Sequence, residues 1–505
     1  MTQIESADQI ELINRSSSYT VSKSLICAKI PFFNELCSSQ GGEKFQVNLN
    51  ESSLESVINW VHSDCIVINM NNVLQLYEAA DDLQIASIKS LCQLFFDENF
   101  SAKEIPALIK LVRDDNSLLN FNKINSFLSR NFLRLINGEY FLEFPLEVVK
   151  YILSLDTCVE TEYSVFQAIL KWIKHDKLRG VHLQELMKCI RWCHTFKDCY
   201  VHIKEDEFIV KNLPQLDELA CEPGECRNSC FNKRVKEKNL ISLLYVDDNI
   251  MSMSYYTGDN CWEPCGTFER DNQMPIGVIS EEHVVDVIFN SGRTGIRIDL
   301  VGKKYRWLEM SGSSSAYYNQ LYDCFKPKFD RESSYRAYIQ DGVKKIDHWV
   351  DLEKNTLIEN KGVMNIICYP RKDEKLYCFL PVEHVDWYKH KFADHRVHAV
   401  ILNDACYIIT KSLTFRIFDM VKKTIEKSKP FDGMNYTFED LQLDSHEANV
   451  ILLIKSQKKV MMFDTRKKEW TSMGQIFSRY EIMALVSTDI PVQFIKKLYS
   501  KKRVK

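Results

Sequence analysis

Residues Val73–Phe96 read VLQLYEAADDLQIASIKSLCQLFF, and this stretch decides the fold. Val73, Leu74, Leu76, Tyr77 and Ala80 recur at three- and four-residue spacings, the period of one helical face. Asp81-Asp82 interrupts the pattern. Ile85, Ile88, Leu91, Cys92 and Phe95 then supply a second apolar stripe. The pattern predicts two packed helices with a short break between them. None of these side chains is catalytic in type. The value of the stretch is topological: it ends a compact N-terminal module and passes into a longer helical tract.

Working outward toward the N-terminus, a short extended piece at Tyr19–Val21 leads into a helix carrying Leu25, Ile26 and Ile30. Pro31 starts a further short helix, at a position where its missing N–H costs little. Phe45, Val47 and Leu49 alternate, as in a half-buried strand. Asn50–Ser53 offers capping oxygens ahead of the apolar helix Leu54–Val61. Ile66, Val67 and Ile68 read as another strand.

Two tracts, YTVSKSLICAKIPFF (19–33) and FQVNLNESSLESVINWVHSDCIVINMNNVLQLYEAADDLQI (45–85), resemble the BTB (POZ) domain. The resemblance implies an α/β fold with a small sheet that homodimerises and recruits partners. The family's usual first strand is missing or degenerate ahead of Tyr19. Ser22, followed by Lys23, stands where the family usually has His. Many members that bind cullin-3 carry an apolar-x-Glu motif after the helix that starts at Pro31. This chain has Asn34-Glu35-Leu36-Cys37-Ser38-Ser39-Gln40-Gly41-Gly42-Glu43, without the apolar member. The resemblance implies a cullin contact formed by Phe32, Phe33, Glu35, Leu36 and Tyr77.

Outward in the other direction, the pattern is helical almost without interruption from Ser101. Ile105, Leu108, Ile109 and Val112 form one stripe, and Ile124, Phe127, Leu128, Phe132, Leu133 and Ile136 another. Phe144-Pro145-Leu146 marks a restart. Thr161 is the N-cap expected for a helix burying Val165, Phe166, Ile169, Leu170 and Ile173. The element Trp172-Ile173-Lys174-His175-Asp176 resembles the BACK domain that follows BTB in kelch-like proteins. There it acts as a stiff all-α spacer. His175 and Asp176 lack a nucleophile and a third orienting group, so they read as capping or packing residues. Cys221, Cys226 and Cys230 lack the paired spacing of a zinc site. Pro-Gly and the charged NKRVKEK tract read as a linker.

Near Asn239 the pattern changes to short apolar runs between turns, a mainly β architecture. Trp262, Trp307, Trp349, Trp387 and Trp470 are separated by 45, 42, 38 and 83 residues. Such a period, with the last gap close to two repeats, is that of propeller blades. Thr424, in FRIFDMVKKTIEK, takes the missing tryptophan position. The copies VMMFDTRKKEW, IRIDLVGKKYRW and FRIFDMVKKTIE resemble degenerate kelch repeats, although no Gly-Gly pair occurs in this half. Six blades are expected, with the tryptophans as blade-core markers. Closure would fall to Ile482–Val486 or the first strand after Asn239.

Composition bounds these readings. The chain has 505 residues, 59.2 kDa, with 45% hydrophobic and 27% charged residues, an ordinary globular balance for two to four domains. A net charge of -4 gives no global case for nucleic-acid binding. No apolar run reaches the roughly 20 residues of a membrane span, and the polar N-terminus has no signal-peptide core. Seventeen scattered cysteines fit free thiols in a reducing compartment, cytoplasmic or nuclear. Glu383, His384, Asp386, His390, His395 and His398 are dense around Trp387 and read as loop packing or a recognition surface.

The organisation expected is BTB at 1–97, BACK at 98–220, a linker at 221–238, a kelch-like β-propeller at 239–492 and a basic tail at 493–505. No catalytic residue, metal or cofactor is expected. The function implied is a substrate-recognition adaptor of a cullin-3 ubiquitin ligase, reading a protein substrate with its propeller loops. The alternative is a scaffold of the same architecture that binds cytoskeletal or other proteins without cullin.

Overall fold

The computed structural model describes residues 8–490 except 41, 112–118, 160, 224–233, 235–238, 291–293, 309–320, 322–323, 326–355, 361–362, 369–376, 380–396, 403, 421, 423 and 428–435. The chain divides into two compact units, Met1–Asn125 with Gly277–Ile279, and Ser126–Ile276 with Ser280–Lys505.

The first unit runs β1 (Gln9–Asn14), β2 (Ser17–Ser22), α1 (Lys23–Lys29), α2 (Pro31–Gln40), β3 (Lys44–Val47), α3 (Glu51–Ser63), α4 (Val73–Asp82), α5 (Ala86–Asn99) and α6 (Ile105–Leu111). Its sheet has the order β2-β1-β3, antiparallel then parallel. The first strand, expected to be missing or degenerate, is present as β1. Ile10 and Leu12 fill the core, while Glu11 faces outward and pairs with Lys44 at 2.9 Å. Buried Asn14 ends the strand and exchanges two hydrogen bonds with the Leu49 backbone. A polar residue at an inward position hides the alternation in the sequence.

Ile66–Ile68 is not a strand. Asp64, in the left-handed region at φ 56°, caps α3, and the chain then runs irregularly with Val67 75% exposed. The Asn72 amide holds this segment, donating to the Val67 carbonyl at 2.9 Å and accepting from the Asn69 N–H at 2.8 Å. The decisive stretch forms α4 and α5, broken at Leu83–Ile85 with Gln84 at φ 58°. The break thus follows Asp81-Asp82 instead of replacing helix with it. The buried side of α5 is Ile88, Cys92 and Phe96, so the second stripe is rotated from the one expected, and Leu91 is exposed.

In the second unit the helices are α7 (Phe121–Arg130, within which the unit boundary falls), α8 (Phe132–Asn137), α9 (Tyr140–Glu143), α10 (Leu146–Ser154), α11 (Glu162–His175), α12 (Leu183–Met187), α13 (Lys197–Glu205), α14 (Glu207–Asn212) and α15 (Leu216–Leu219). Helix α11 buries Val165, Phe166, Ile169, Trp172 and Ile173. The Trp172 indole donates to the Phe144 carbonyl at 3.0 Å, and the Arg179 guanidinium lies 4.1 Å over its ring. Thr161 occupies the N-cap position without a side-chain capping bond. His175 meets Glu143 at 3.1 Å, and the Asp176 carboxylate accepts the Leu178 N–H at 2.9 Å, so this pair serves local structure.

The strands that follow are β4 (Asn239–Tyr245), β5 (Ile250–Gly258), β6 (Cys261–Arg270), β7 (Val284–Phe289), β8 (Thr294–Asp299) and β9 (Lys304–Leu308). Next come β10 (Thr356–Asn360), β11 (Val363–Cys368), β12 (Tyr377–Phe379), β13 (His398–Leu402), β14 (Ala405–Ile409), β15 (Phe415–Asp419) and β16 (Thr424–Lys427). The last are β17 (Leu441–His446), β18 (Asn449–Ile454), β19 (Lys459–Asp464), β20 (Glu469–Gln475) and β21 (Glu481–Thr488). β13–β16 and β17–β20 are four-stranded meanders, and β10–β12 is a three-stranded one. β7–β9 joins β6 through a short parallel ladder. The last strand, β21, pairs antiparallel with the first, β4.

These sheets stack face to face, which explains the apolar runs. In β18, Val450, Leu452 and Ile454 face the β13–β16 sheet, while Ile451 and Leu453 face the β4–β6 sheet. In β14, Tyr407 and Ile409 face one neighbour, and Cys406 and Ile408 the other. Strands buried on both faces read as continuous apolar runs instead of alternations.

The sequence repeat is a hairpin held by an aspartate. The carboxylates of Asp299 and Asp464 each accept two backbone N–H groups of the following turn at 2.7–2.9 Å, and Asp419 accepts the Lys422 N–H at 2.8 Å. This is an Asx turn, a side chain mimicking a backbone turn. Lys303 and Lys468 adopt the left-handed conformation at φ 55° and 56°, a place glycine would fill more easily. Register then corrects one assignment. Asp464 pairs with Glu469 and Phe463 with Trp470, while Asp419 pairs with Thr424 and Phe418 with Ile425. The counterpart of Trp470 is therefore Ile425, and Thr424 matches Glu469.

Candidate protein-docking site

In the first unit the candidate site is built on α1 and α2. Ser22 caps α1, its hydroxyl accepting the Leu25 N–H at 3.3 Å and donating to Asp8 at 2.7 Å. Asp8 also accepts the Ser24 hydroxyl at 2.7 Å and the Ser24 N–H at 2.9 Å. These bonds, Ser24's first, hold its carboxyl below the usual carboxylate range. Ser22 thus performs a capping role in place of the histidine usual in the resembled family. At the other end of α1, Lys29 donates to the Val61 carbonyl at 2.7 Å and to Asp64 at 2.5 Å, locking the helix onto α3.

Pro31 opens α2, whose anchor is Phe33. This ring is fully buried, edge-on to Phe32 at 5.2 Å and to Phe45 at 6.3 Å. A buried ring fixes the helix and cannot itself touch a partner. Phe32 and Leu36 are half-buried, four residues apart on one helical face, and Glu35 is exposed beside them. Tyr77 stands on α4, half-buried, with the Lys89 ammonium 5.3 Å over its ring. Among the described residues no ring contact joins Tyr77 to Phe32 or Phe33. The structure thus groups Phe32, Glu35 and Leu36, puts Phe33 beneath them and leaves Tyr77 on a separate helix.

In the second unit the helices are tied to the β-rich half. The Arg130 guanidinium, at the end of α7, donates to the carbonyls of Glu282 and Val284. Phe127 stacks on Phe325 at 5.9 Å with ring planes 6° apart. The Cys158 thiol reaches Asp489 at 3.2 Å. Arg234, within the tract read as a charged linker, is fully buried. It donates to Glu162 at 3.1 Å and to the carbonyls of Leu153, Leu155 and Cys189 at 2.6–2.9 Å. Sequence reasoning missed this residue because it sits in the charge run NKRVKEK.

Of the tryptophan markers, Trp262, Trp307 and Trp470 each pack half-buried against an apolar cluster. Trp349 and Trp387 lie outside the described residues, as do Glu383, His384, Asp386, His390, His395, Cys226 and Cys230. His398 stacks on Phe438 at 4.2 Å, a packing role. Among the described residues no group of three or more His, Cys, Asp or Glu is placed to hold a metal ion. Among the same residues no helix is long and apolar enough to cross a membrane.

One surface feature gave no sequence signal. Phe477, between β20 and β21, is 89% exposed. Its loop is held on both sides: the Ile476 N–H donates to the Lys458 carbonyl at 2.9 Å, and the Lys458 ammonium to the Ser478 carbonyl at 2.6 Å. Arg479 then lies 4.9 Å over the Tyr480 ring. The result is a fixed loop displaying a free aromatic ring beside cationic groups.

Comparison with known proteins bears on both units. Residues 7–100 match the BTB/POZ domain family, and residues 119–201 match the BACK family, BTB And C-terminal Kelch. Human Kelch-like protein 41 is 28% identical over 215 residues, covering 38% of this chain and 34% of its own length. Human Kelch-like protein 2 is 24% identical over 257 residues, 49% of this chain and 43% of its own. Among solved structures, the BTB domain of human Gigaxonin aligns at 19% identity over 18% of this chain and 79% of that chain, with a TM-score of 0.17. The chain spans less than half the length of these curated relatives. It has a BTB-BACK domain architecture related to the kelch-like protein family, joined to a β-rich C-terminal region.

Proposed function

We propose that the chain is a substrate-recognition adaptor of a cullin-3 RING ubiquitin ligase, with no covalent chemistry of its own. BTB at 1–97 and BACK at 98–220 recruit the cullin. The region 239–492 forms a six-bladed kelch-like propeller that binds the substrate, and 493–505 is a basic tail. The observation that carries this reading is the order of modules, a BTB match followed by a BACK match and then stacked antiparallel meanders. Pairing of β21 with β4 supports ring closure. The cullin face is the Phe32–Glu35–Leu36 strip of α2, seated on Phe33, and Tyr77 on α4 contributes to the same contact. The protein homodimerises through BTB and works in the cytoplasm or nucleus.

The mechanism is positioning. A substrate held by the β-rich half and a conjugating enzyme held through the cullin share a high effective concentration. The tie from Arg130 to the Glu282 and Val284 carbonyls suits this task, because a stiff spacer preserves that concentration. Loops on a rigid scaffold commonly carry recognition, and Phe477 is the residue best displayed for it.

A second reading rests on one observation. The tract 34–43 lacks the apolar member of the cullin motif, and Gly41-Gly42 precedes Glu43. On this reading the chain is a scaffold that binds cytoskeletal or other proteins without cullin. Mixing the full chain with purified cullin-3 N-terminal domain separates the two. A complex supports the adaptor, and no complex at about 10 µM supports the scaffold.

A further inference from the structure

Helices α1 and α2 meet at Ile30–Pro31, and each carries one cysteine toward the other. Cys27 lies on α1 and Cys37 on α2, with their sulfur atoms 3.1 Å apart. The Cys27 thiol donates toward Cys37 and also approaches the Phe33 carbonyl at 3.7 Å. Ile26, Ile30 and Phe33 are all buried around this junction, so packing fixes the approach of the two helices. Both thiols are partly open to solvent, and both are free. Neither takes part in the docking strip, and the adaptor reading gives them no task.

We propose that Cys27 and Cys37 form a redox-active dithiol, a modification site that closes to a disulfide under hydrogen peroxide and reopens under a small thiol. The sulfur atoms need to close by about 1 Å to reach the ~2.05 Å bond length. The one-residue connection between the helices makes this a small rotation of α2 on α1, with no strand pairing broken.

Closure takes two steps. The Cys37 thiolate attacks one oxygen of the peroxide: an S–O bond forms, the O–O bond breaks, and hydroxide leaves to become water with the thiol's proton. Cys37 is now a sulfenic acid. The Cys27 sulfur then attacks the Cys37 sulfur. An S–S bond forms, the S–O bond breaks, and the departing hydroxide takes the Cys27 proton as a second water. Two thiols are oxidised by two electrons, and one peroxide is reduced to two waters. A small thiol such as glutathione reverses the bridge by exchange, two equivalents leaving as their own disulfide.

The order of attack follows from the environment. Burial, and then the hydrogen bond to Cys37, push the Cys27 thiol up to about 11. Lys23, one turn away on α1, favours its thiolate, and Asp8 opposes it. The Cys27 thiol donates its hydrogen toward the Cys37 sulfur at 3.1 Å, and this geometry makes Cys37 the first nucleophile. Cys65 and Cys261 are free and exposed, and serve as reference thiols.

The test uses the full reduced chain, titrated with hydrogen peroxide, alkylated and mapped by mass spectrometry. A peptide linking Cys27 to Cys37 should appear, lighter by two hydrogens, and vanish with glutathione. Alkylation of both residues should fall at least tenfold at a peroxide level that leaves most of Cys65 and Cys261 alkylatable. Cys37→Ser should abolish the link and leave Cys27 a thiol. Cys27→Ser should stop Cys37 at the sulfenic acid, trapped by dimedone. Cys27→Ala supplies the same readout if the serine variant does not fold. Loss of Cys27 and Cys37 in step with the two reference thiols, or sulfinic acids without a linked peptide, would overturn the proposal.

Discussion

Arg234 and Glu162 meet as an ion pair with Nε and Oε1 3.1 Å apart and both side chains 1% exposed. Glu162 also accepts the Arg191 N–H at 3.1 Å, so one carboxylate receives two donors. Three carbonyls and the Thr157 hydroxyl accept from the Arg234 Nη1 and Nη2 groups. A buried pair gains little over a hydrophobic substitute, but removing one partner strands the other, at about 3–5 kcal/mol. Arg234→Met should therefore lower the unfolding free energy by that scale, and Glu162→Gln by less. The double variant Arg234→Met with Glu162→Leu should recover part of the loss in urea unfolding followed by circular dichroism.

Gln442 on β17 exchanges hydrogen bonds with Leu485 on β21, donating at 2.6 Å and accepting at 3.0 Å. Its buried amide stands in for a backbone unit between two strands that do not pair. Gln442→Leu should cost about 1–3 kcal/mol, because two buried backbone groups of Leu485 lose their added partners. Gln442→Glu should cost more at neutral pH, since a carboxylate cannot donate to the Leu485 carbonyl. Thermal unfolding of the two variants side by side checks the order.

Asp464 shows the sign of a pH effect. N–H groups of Lys467 and Arg466 hold its carboxyl below the ordinary range. A depressed carboxyl contributes stability that is fully present above its unfolded pKa, about 4. That contribution is lost as pH falls through the lower folded value. Asp464→Asn keeps the acceptor and should flatten this acid limb, whereas Asp464→Ala should also lower the melting temperature at neutral pH. Melting curves between pH 7 and pH 3 distinguish them.

The two phenylalanines at the start of α2 should behave differently. Phe33→Ala empties a fully buried site and should destabilise by about 3–5 kcal/mol. Phe32→Ala and Glu35→Ala alter a half-open surface and should leave the melting temperature nearly unchanged while weakening cullin capture.

Phe477→Ser removes an exposed ring, and surface changes of this kind usually stay within about 0.5 kcal/mol. The account expects an unchanged melting temperature and loss of protein partners captured by the wild-type chain from its native cells. Undiminished capture would remove this loop from the recognition surface.

How much of this was legible in the sequence differs by element. Helix α11 was readable because its apolar residues repeat at helical spacing and its Trp172 element is specific. The stacked sheets were readable because both faces of β14 and β18 are buried, leaving continuous apolar runs. β1 was not, since Asn14 takes an inward position through its own hydrogen bonds. Val67 misled, because an apolar run without a strand neighbour stays irregular. The Thr424 assignment failed by one residue, as only the Asp419–Thr424 pairing sets the register. The Cys27–Cys37 approach depends on a bend at Ile30–Pro31, which spacing alone does not encode. Arg234 was invisible for the opposite reason: a charge run normally marks solvent, and its partner lies far back in the chain at Glu162.

The most direct test of the adaptor account is the affinity of the full chain for the cullin-3 N-terminal domain, measured by calorimetry with Phe32→Ala as control. The account predicts a dissociation constant tighter than about 10 µM, near -7 kcal/mol, and a clear weakening in the variant. No heat of binding with correctly folded wild-type protein at that concentration would contradict it.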